Sequence, residues 1–116
     1  EVWGDGEDVR DLIFIDDFIN GTLLSLESSI DFLNVNIGSG KSYTINKILD
    51  LTIKIDNFKN PSIEYIDEGP RTSKSVKVSI QKANQLLNFK PNVSIETGLK
   101  KTIFWMKNKL KIDNTL

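Results

Sequence analysis

The residue types that could do chemistry are few, because the 116-residue chain contains neither cysteine nor histidine. Disulfides and thiolate metal sites are therefore excluded, and the commonest general base and metal ligand is missing. Any chemistry has to come from Asp, Glu, Lys, Tyr or Ser. Three short patterns of these residues are similar to known sites.

The first pattern, Gly38-Ser39-Gly40-Lys41-Ser42, matches the end of a phosphate-binding P-loop. The complete motif places its first glycine at a position where this chain has Val35. We therefore interpret the segment as a turn between a strand and a helix, in which the glycines supply positive φ.

The second pattern pairs Tyr43 with Lys47, as in the Tyr-x-x-x-Lys motif of short-chain dehydrogenases. In that motif, helical spacing places the ammonium beneath the phenol and prepares it for acid–base chemistry. Tyr43 precedes the predicted helix start at Thr44, so the two side chains do not stack. No catalytic role is predicted for this pair.

The third pattern, Asp16-Asp17, could be a metal or acid–base pair. Adjacent carboxylates at the start of a predicted helix usually provide an N-cap and favourable first-turn charge. We predict that structural role here. Gly21 lies inside the same helix and weakens it by up to about 1 kcal/mol relative to alanine.

Charge is distributed unevenly along the chain. Residues 1–40 contain nine acids and one base, and residues 41–116 contain seven acids and fourteen bases, so balances of −8 and +7 give the net charge of −1. A nearly neutral chain gives no electrostatic argument for nucleic acid. The lysines near the C-terminus are interpreted as a solvated helix face, not a nucleic-acid or calmodulin-type site. They are Lys100, Lys101, Lys107, Lys109 and Lys111.

Strands and helices alternate along the sequence, which favours a layered α/β architecture with a small sheet. Hydrophobic periodicity predicts four helices, and alternating or short apolar runs predict four strands. The first helix covers about 16–29, and the other three begin after the N-caps Thr44, Ser79 and Ser94. The strands are 12–15, 33–37, 62–66 and 76–78, Val2-Trp3 ends at a turn, and loops are predicted at 57–61 and 67–74. Such a small sheet has unpaired edges unless another part of a protein covers them.

Composition is ordinary for a soluble globular protein, at 39% hydrophobic and 27% charged residues. No apolar run approaches the roughly 20 residues that span a membrane, and no signal peptide is visible. We therefore expect a cytoplasmic location and no membrane partner. The chain opens at Glu1 without an initiator methionine, and we expect a piece of a longer protein.

Four segments, in order, resemble the extended short-chain dehydrogenase/reductase family that acts on nucleotide sugars. Residues 2–17, with Trp3-Gly4-Asp5-Gly6 and Arg10-Asp11, are similar to that family's "WGDG…RDFIYVDD" stretch. The other segments are 36–45, similar to "NIGSG…YSI"; 79–91, similar to "DISKA…LLGFKP"; and 94–105, similar to "SLEEGL…TIEW". The chain departs from the family at Ser79, where Asp is usual, and at Asn88, where Gly is frequent. Within the family, a tryptophan at the position of Trp3 slightly favours reductases similar to GDP-fucose synthase.

The resemblance implies a small mixed α/β lobe, the C-terminal part of a Rossmann-type enzyme. In the family, an N-terminal Rossmann half binds NAD or NADP and carries the catalytic Ser/Thr, Tyr and Lys. That half is absent here, so the resemblance implies no catalytic, cofactor or metal residue in this chain. It also implies that residues 1–116 form one nucleotide-sugar-binding domain, with residues 1–40 packing on the missing Rossmann sheet.

The resemblance also implies three substrate-binding residues. Arg10 matches the family arginine that contacts the substrate diphosphate, which a guanidinium fork suits. The alternative for Arg10 is a surface ion pair with Asp8 or Asp11. Trp3 would line the nucleotide pocket, with core packing as the alternative.

Arg71 matches a second family arginine that reaches the diphosphate from the loop before the small helix. Lys74 or Lys77 could take that place. The predicted function is the nucleotide-diphosphate-sugar-binding portion of an NAD(P)-dependent epimerase, dehydratase or reductase, and the intact enzyme is expected to be a homodimer. The alternative is a stand-alone, non-catalytic binding or structural domain of the same fold.

Overall fold

The computed structural model describes residues 1–67 and 75–113, the last three of these by their backbone alone. Helices and short strands alternate, so the predicted mixed α/β class is confirmed. The elements in chain order are β1 Val2–Trp3, β2 Val9–Asp11, α1 Ile15–Leu26, β3 Ser42–Thr44, α2 Ile45–Asp56, β4 Tyr65–Ile66, α3 Gln81–Leu87 and α4 Ile95–Asp113.

The described strands form two small sheets. β1 pairs with β4 in parallel, and β2 pairs with β3 in antiparallel orientation. On its other edge, β2 meets Ser75 through a parallel bridge at Val9, and the Val76 N–H donates to the Val9 carbonyl at 3.0 Å. The strand that carries Arg10 is therefore held along both of its edges.

The strand predictions are the least accurate. The apolar run 12–15 is not a strand: β2 lies just before it, Leu12 is 40% exposed, and Ile15 begins α1. A short apolar run does not by itself distinguish a strand from the approach to a helix. The strand predicted at 62–66 is shorter, since only Tyr65–Ile66 pair with β1.

The alternation at 33–37 reflects burial without strand pairing. Leu33, Val35 and Ile37 pack against the core as the pattern predicts. No ladder forms at 33–37 or at 76–78 within the described residues, because a strand needs a neighbouring strand for its backbone hydrogen bonds. The Asn36 amide instead donates to the Ser79 carbonyl at 3.3 Å.

The helices lie close to their predicted positions, and two predicted caps are confirmed. The Thr44 hydroxyl accepts from the Lys47 amide at 3.1 Å, and the Ser94 hydroxyl accepts from the Thr97 amide at 3.2 Å. These bonds satisfy N–H groups that have no partner inside the helix.

Two other predicted caps are wrong. The N-cap of α3 is Ile80, not Ser79, and it makes no side-chain cap bond. The N-cap of α1 is Phe14, so Asp16 lies in the first turn of the helix and does not cap it. The turn expected at Asn88 is confirmed, because this residue ends α3 with φ of 52°, a left-handed conformation that asparagine tolerates.

The core of the described chain is centred on α3 and on Phe89, two residues after the end of this helix. Ala83, Leu87 and Phe89 are buried, and Phe89 is the largest side chain with no exposed surface. Side chains from three other segments pack against them: Ile13, Leu24, Leu33, Val35 and Ile37. Gly21 is buried beside this cluster, and a Cβ there would lie 2.7 Å from Ile37 Cγ2. A close approach of α1 therefore explains a glycine whose helix propensity is poor.

The long helix α4 packs on α2. An ion pair joins Lys107 to Asp56 across the two helices, and Lys101 pairs with Asp16 at 3.2 Å. Phe104 and Trp105 on α4 are not core residues, because they are 70% and 60% exposed. Among the described helices, none combines the length and apolar character that crossing a membrane requires.

Candidate functional site

A tight turn connects β1 to β2 and is fixed by Asn46 in the first turn of α2. The Asn46 backbone N–H donates to the Gly6 carbonyl at 2.9 Å, and its side-chain amide donates to the Asp5 carbonyl at 3.0 Å and to Glu7 at 2.7 Å. The Tyr65 hydroxyl donates to Asn46 Oδ1 at 3.0 Å. A Cβ at Gly6, whose φ is +75°, would lie 2.0 Å from that oxygen. The path of the chain into β2 is therefore closely constrained.

Arg10 lies at the centre of β2, with its guanidinium along the strand. Its Nη2 donates to Asp8 Oδ2 at 2.9 Å, and its Nη1 donates to the Val9 carbonyl at 2.9 Å. The ion pair is partly shielded, since the two side chains are 25% and 33% exposed. The structure thus contains the Asp8 pair that the sequence offered as the alternative. This pairing holds the guanidinium in one place.

The cross-strand neighbour of Arg10 is Tyr43. The register of β2 and β3 sets Arg10 opposite Tyr43, with Val9 opposite Thr44 and Asp11 opposite Ser42. Directly opposite residues of an antiparallel pair project from the same face, with Cβ atoms about 4.5–5.5 Å apart. From the sequence, Tyr43 was a candidate only as the partner of Lys47. The opposition to Arg10 depends on strand register, which no local pattern revealed.

Asp11 points to the other face of β2 and fixes the glycine-rich turn. Its Oδ1 accepts from the Ser39 amide and the Ser39 hydroxyl, both at 2.8 Å. A Cβ at Gly38 would lie 2.8 Å from Val78 Cγ1, and Gly40 has φ of +68°. The Ser39 donors are occupied by the Asp11 carboxylate, and the turn is followed by the strand β3 where a P-loop is followed by a helix. The segment is therefore not a P-loop.

The other two predicted site residues have different outcomes. Trp3 on β1 is 60% exposed, so its alternative assignment to the core is wrong. Arg71 and Lys74 lie outside the described residues, and Lys77 is exposed. The segment that carries Arg71 is preceded by β4, which pairs with β1, and is followed by Ser75, which bridges Val9.

The remaining patterns serve the fold. Tyr43 lies in β3 and Lys47 in α2, so they do not form a stacked pair on one helix. Asp17 is 5% exposed and accepts from the amides of Asn92 and Val93 at 3.0 and 2.8 Å. Within residues 1–67 and 75–113, no three carboxylates gather in a way that could hold a metal ion.

The chain is similar in sequence and structure to part of several sugar-nucleotide enzymes. It is 34% identical over 113 residues to a UDP-glucuronate 4-epimerase from Thermodesulfobacterium geofontis, a match that covers 97% of this chain and 34% of that protein. No family model matches.

Two solved structures are also similar. One is UDP-glucose 4-epimerase from Thermotoga maritima with UDP-glucose (TM-score 0.85, 31% identity, 95% of this chain and 36% of that one). The other is UDP-glucuronic acid 4-epimerase from Bacillus cereus in complex with UDP-glucuronic acid and NAD (TM-score 0.77, 33% identity, 85% of this chain and 32% of that one). The chain thus spans about a third of the length of the proteins it matches.

Proposed function

We propose that this chain, which corresponds to the C-terminal region of the extended short-chain dehydrogenases/reductases, is the part of a nucleotide-sugar epimerase, dehydratase or reductase that binds the substrate diphosphate. Its relatives are sugar-nucleotide epimerases and dehydratases. The similarity of Trp3 to GDP-fucose synthases stays a prediction about the subgroup, since the proteins named above are UDP-sugar epimerases. The observation that carries the proposal is the fixed position of Arg10 on β2.

Arg10 is suited to this task by its charge, its geometry and its surroundings. A planar guanidinium binds phosphate oxygens through two parallel N–H···O bonds, which a lysine does not reproduce. Asp8 holds the fork at 2.9 Å in the present structure. Diphosphate oxygens would replace the Asp8 carboxylate as the acceptors, so the guanidinium stays paired before and after binding. Trp3 and Arg71 are the proposed further contacts, on β1 and in the segment between β4 and Ser75.

The cofactor-binding half is proposed to cover the apolar face of α1. Five large apolar side chains of α1 are between 45% and 77% exposed: Ile15, Phe18, Ile19, Leu23 and Leu26. Exposed apolar surface of this extent on one helix usually marks an interface. We assign residues 1–40 to packing on the Rossmann sheet of the intact enzyme, and we expect that enzyme to be a homodimer.

NAD or NADP would be bound by that other half. The Gly38-Ser39-Gly40 turn does not fit a dinucleotide phosphate, because its Ser39 amide and hydroxyl both donate to Asp11. When bound, the cofactor supplies hydride transfer at the sugar. The residues of this chain would hold the remote diphosphate and thereby orient the sugar.

Replacing Arg10 by alanine tests the proposal. A hydrogen bond to a charged group contributes about 1.5–3 kcal/mol, so we expect Arg10→Ala to raise the Kd for UDP about tenfold or more. The measurement is an NMR titration of the isotope-labelled chain with UDP, which detects weak binding. Lys100→Ala is the control, because it removes the same charge from an exposed position on α4.

Two outcomes contradict the proposal. Equal UDP affinities of the Arg10→Ala and Lys100→Ala variants would remove Arg10 from the site. An unmodified chain whose spectrum does not respond to millimolar UDP would favour a stand-alone structural domain of the same fold.

A further inference from the structure

We infer that Lys41 and Tyr43 extend the Arg10 site along β3 and bind the same diphosphate. The inference rests on the proposed function and adds two contacts to it. Neither residue belongs to the substrate-binding residues that sequence analysis singled out. Both come from the pairing of β2 with β3.

Strand pairing sets Tyr43 on the same face as Arg10. Arg10 is directly opposite Tyr43, and side chains alternate between the two faces along each strand. Lys41 immediately precedes β3 and Leu12 immediately follows β2, and both line one cleft together with Tyr43. Asp11 projects from the opposite face and is occupied with Ser39. Around Arg10 the two strands therefore carry a guanidinium paired with Asp8, a phenol and an ammonium.

A shallow cleft borders this face. It is lined by Leu12, Ser39, Lys41 and Tyr43, and on its far side by Pro91 and Val93–Ile95. Acidic side chains do not contribute to this lining, and Asp8, two residues before Arg10, is paired with the Arg10 guanidinium. Tyr43 is half-buried, which restricts its ring, whereas Lys41 is exposed.

The polar ends of both side chains lack partners within the described part of the chain. No hydrogen bond or ion pair of the Tyr43 hydroxyl or the Lys41 ammonium occurs there. By contrast, other polar groups nearby are paired: Tyr65 donates to Asn46 and Ser39 donates to Asp11. A phenol O–H and an ammonium are both donors to phosphate oxygens. Together with Arg10 they would surround a diphosphate with donors from two adjacent strands.

Two conservative variants test the inference. Tyr43→Phe keeps the ring and removes one hydroxyl, and we expect it to raise the Kd for UDP about tenfold, as the loss of a hydrogen bond to a charged group does. Lys41→Gln removes an exposed charge, and we expect an increase of about threefold to fivefold. Lys47→Gln is the matched control, since it makes the same change at an exposed position in the first turn of α2, and it should leave the Kd unchanged.

Inorganic pyrophosphate is the second probe. If the contacts are to the diphosphate, each variant raises the Kd for pyrophosphate and the Kd for UDP by the same factor. If only the Kd for UDP rises, the residues contact the base or ribose, and the inference is wrong. If Arg10→Ala raises the Kd for UDP while Tyr43→Phe and Lys41→Gln leave it equal to that of the unmodified chain, the inference fails and the proposed function stands. If the unmodified chain binds neither probe, both fail.

Discussion

Replacing Phe89 by alanine is expected to lower the free energy of unfolding by about 3–5 kcal/mol, the usual cost of truncating a buried phenylalanine. Phe89 has no exposed surface and packs with Ala83 and Leu87, and its ring lies against Gly21 on α1. Domains have a total stability of only about 5–15 kcal/mol. This single side chain therefore determines a large share of the stability, because it joins α1 to α3.

Chemical denaturation followed by far-UV circular dichroism measures this effect. Phe32→Ala is the control, because Phe32 is 85% exposed and surface substitutions usually change stability by at most about 0.5 kcal/mol. If Phe89→Ala does not fold, Phe89→Leu provides a milder test, with an expected loss below about 1.5 kcal/mol. Equal stabilities of the Phe89→Ala and Phe32→Ala proteins would show that the core lies elsewhere.

Asp17→Ala is expected to lower the free energy of unfolding by about 2–4 kcal/mol, because each hydrogen bond to a charged group contributes about 1.5–3 kcal/mol and the two here are not fully additive. The carboxylate is 5% exposed, and its Oδ2 accepts from both the Asn92 and Val93 amides. Its removal leaves two donors without their partner in the segment just before α4.

The neighbouring carboxylate supplies a matched control for the same measurement. Asp16 is also in the first turn of α1, but its side chain is 61% exposed and pairs only with Lys101 at 3.2 Å. Exposed ion pairs contribute about 0–1 kcal/mol, so Asp16→Ala should cost no more than that. A result in which Asp16→Ala is the more damaging change would refute the structural role assigned to Asp17.

Sequence periodicity was sufficient to predict the approximate positions of the helices. Three helices have a local signal that the structure bears out: Thr44 and Ser94 cap α2 and α4 as predicted, and the apolar spacing of α1 gave its position within three residues at its end. Local signals are reliable because the hydrogen bonds of a helix lie within the helix.

Strands and the candidate site depended on distant residues. Leu33, Val35 and Ile37 have the alternation of a strand and are partly buried, but without a neighbouring strand they form no ladder. In the same way, Arg10 was identified from a resemblance, whereas Tyr43 became a candidate only when the register of β2 and β3 was known. Asn46, which fixes the turn before β2, had no signal in the sequence because its partners are about 40 residues earlier in the chain.

The most direct test of the central claim is to map UDP onto the chain through backbone amide chemical shifts. If this chain is the diphosphate-binding part of a nucleotide-sugar enzyme, saturable shifts will be largest at residues 8–11 and 41–44 and small along the lysine-bearing turns 100–109. If the largest shifts occur at residues 100–109, or if millimolar UDP causes none, the binding site assigned to the β2–β3 face is wrong.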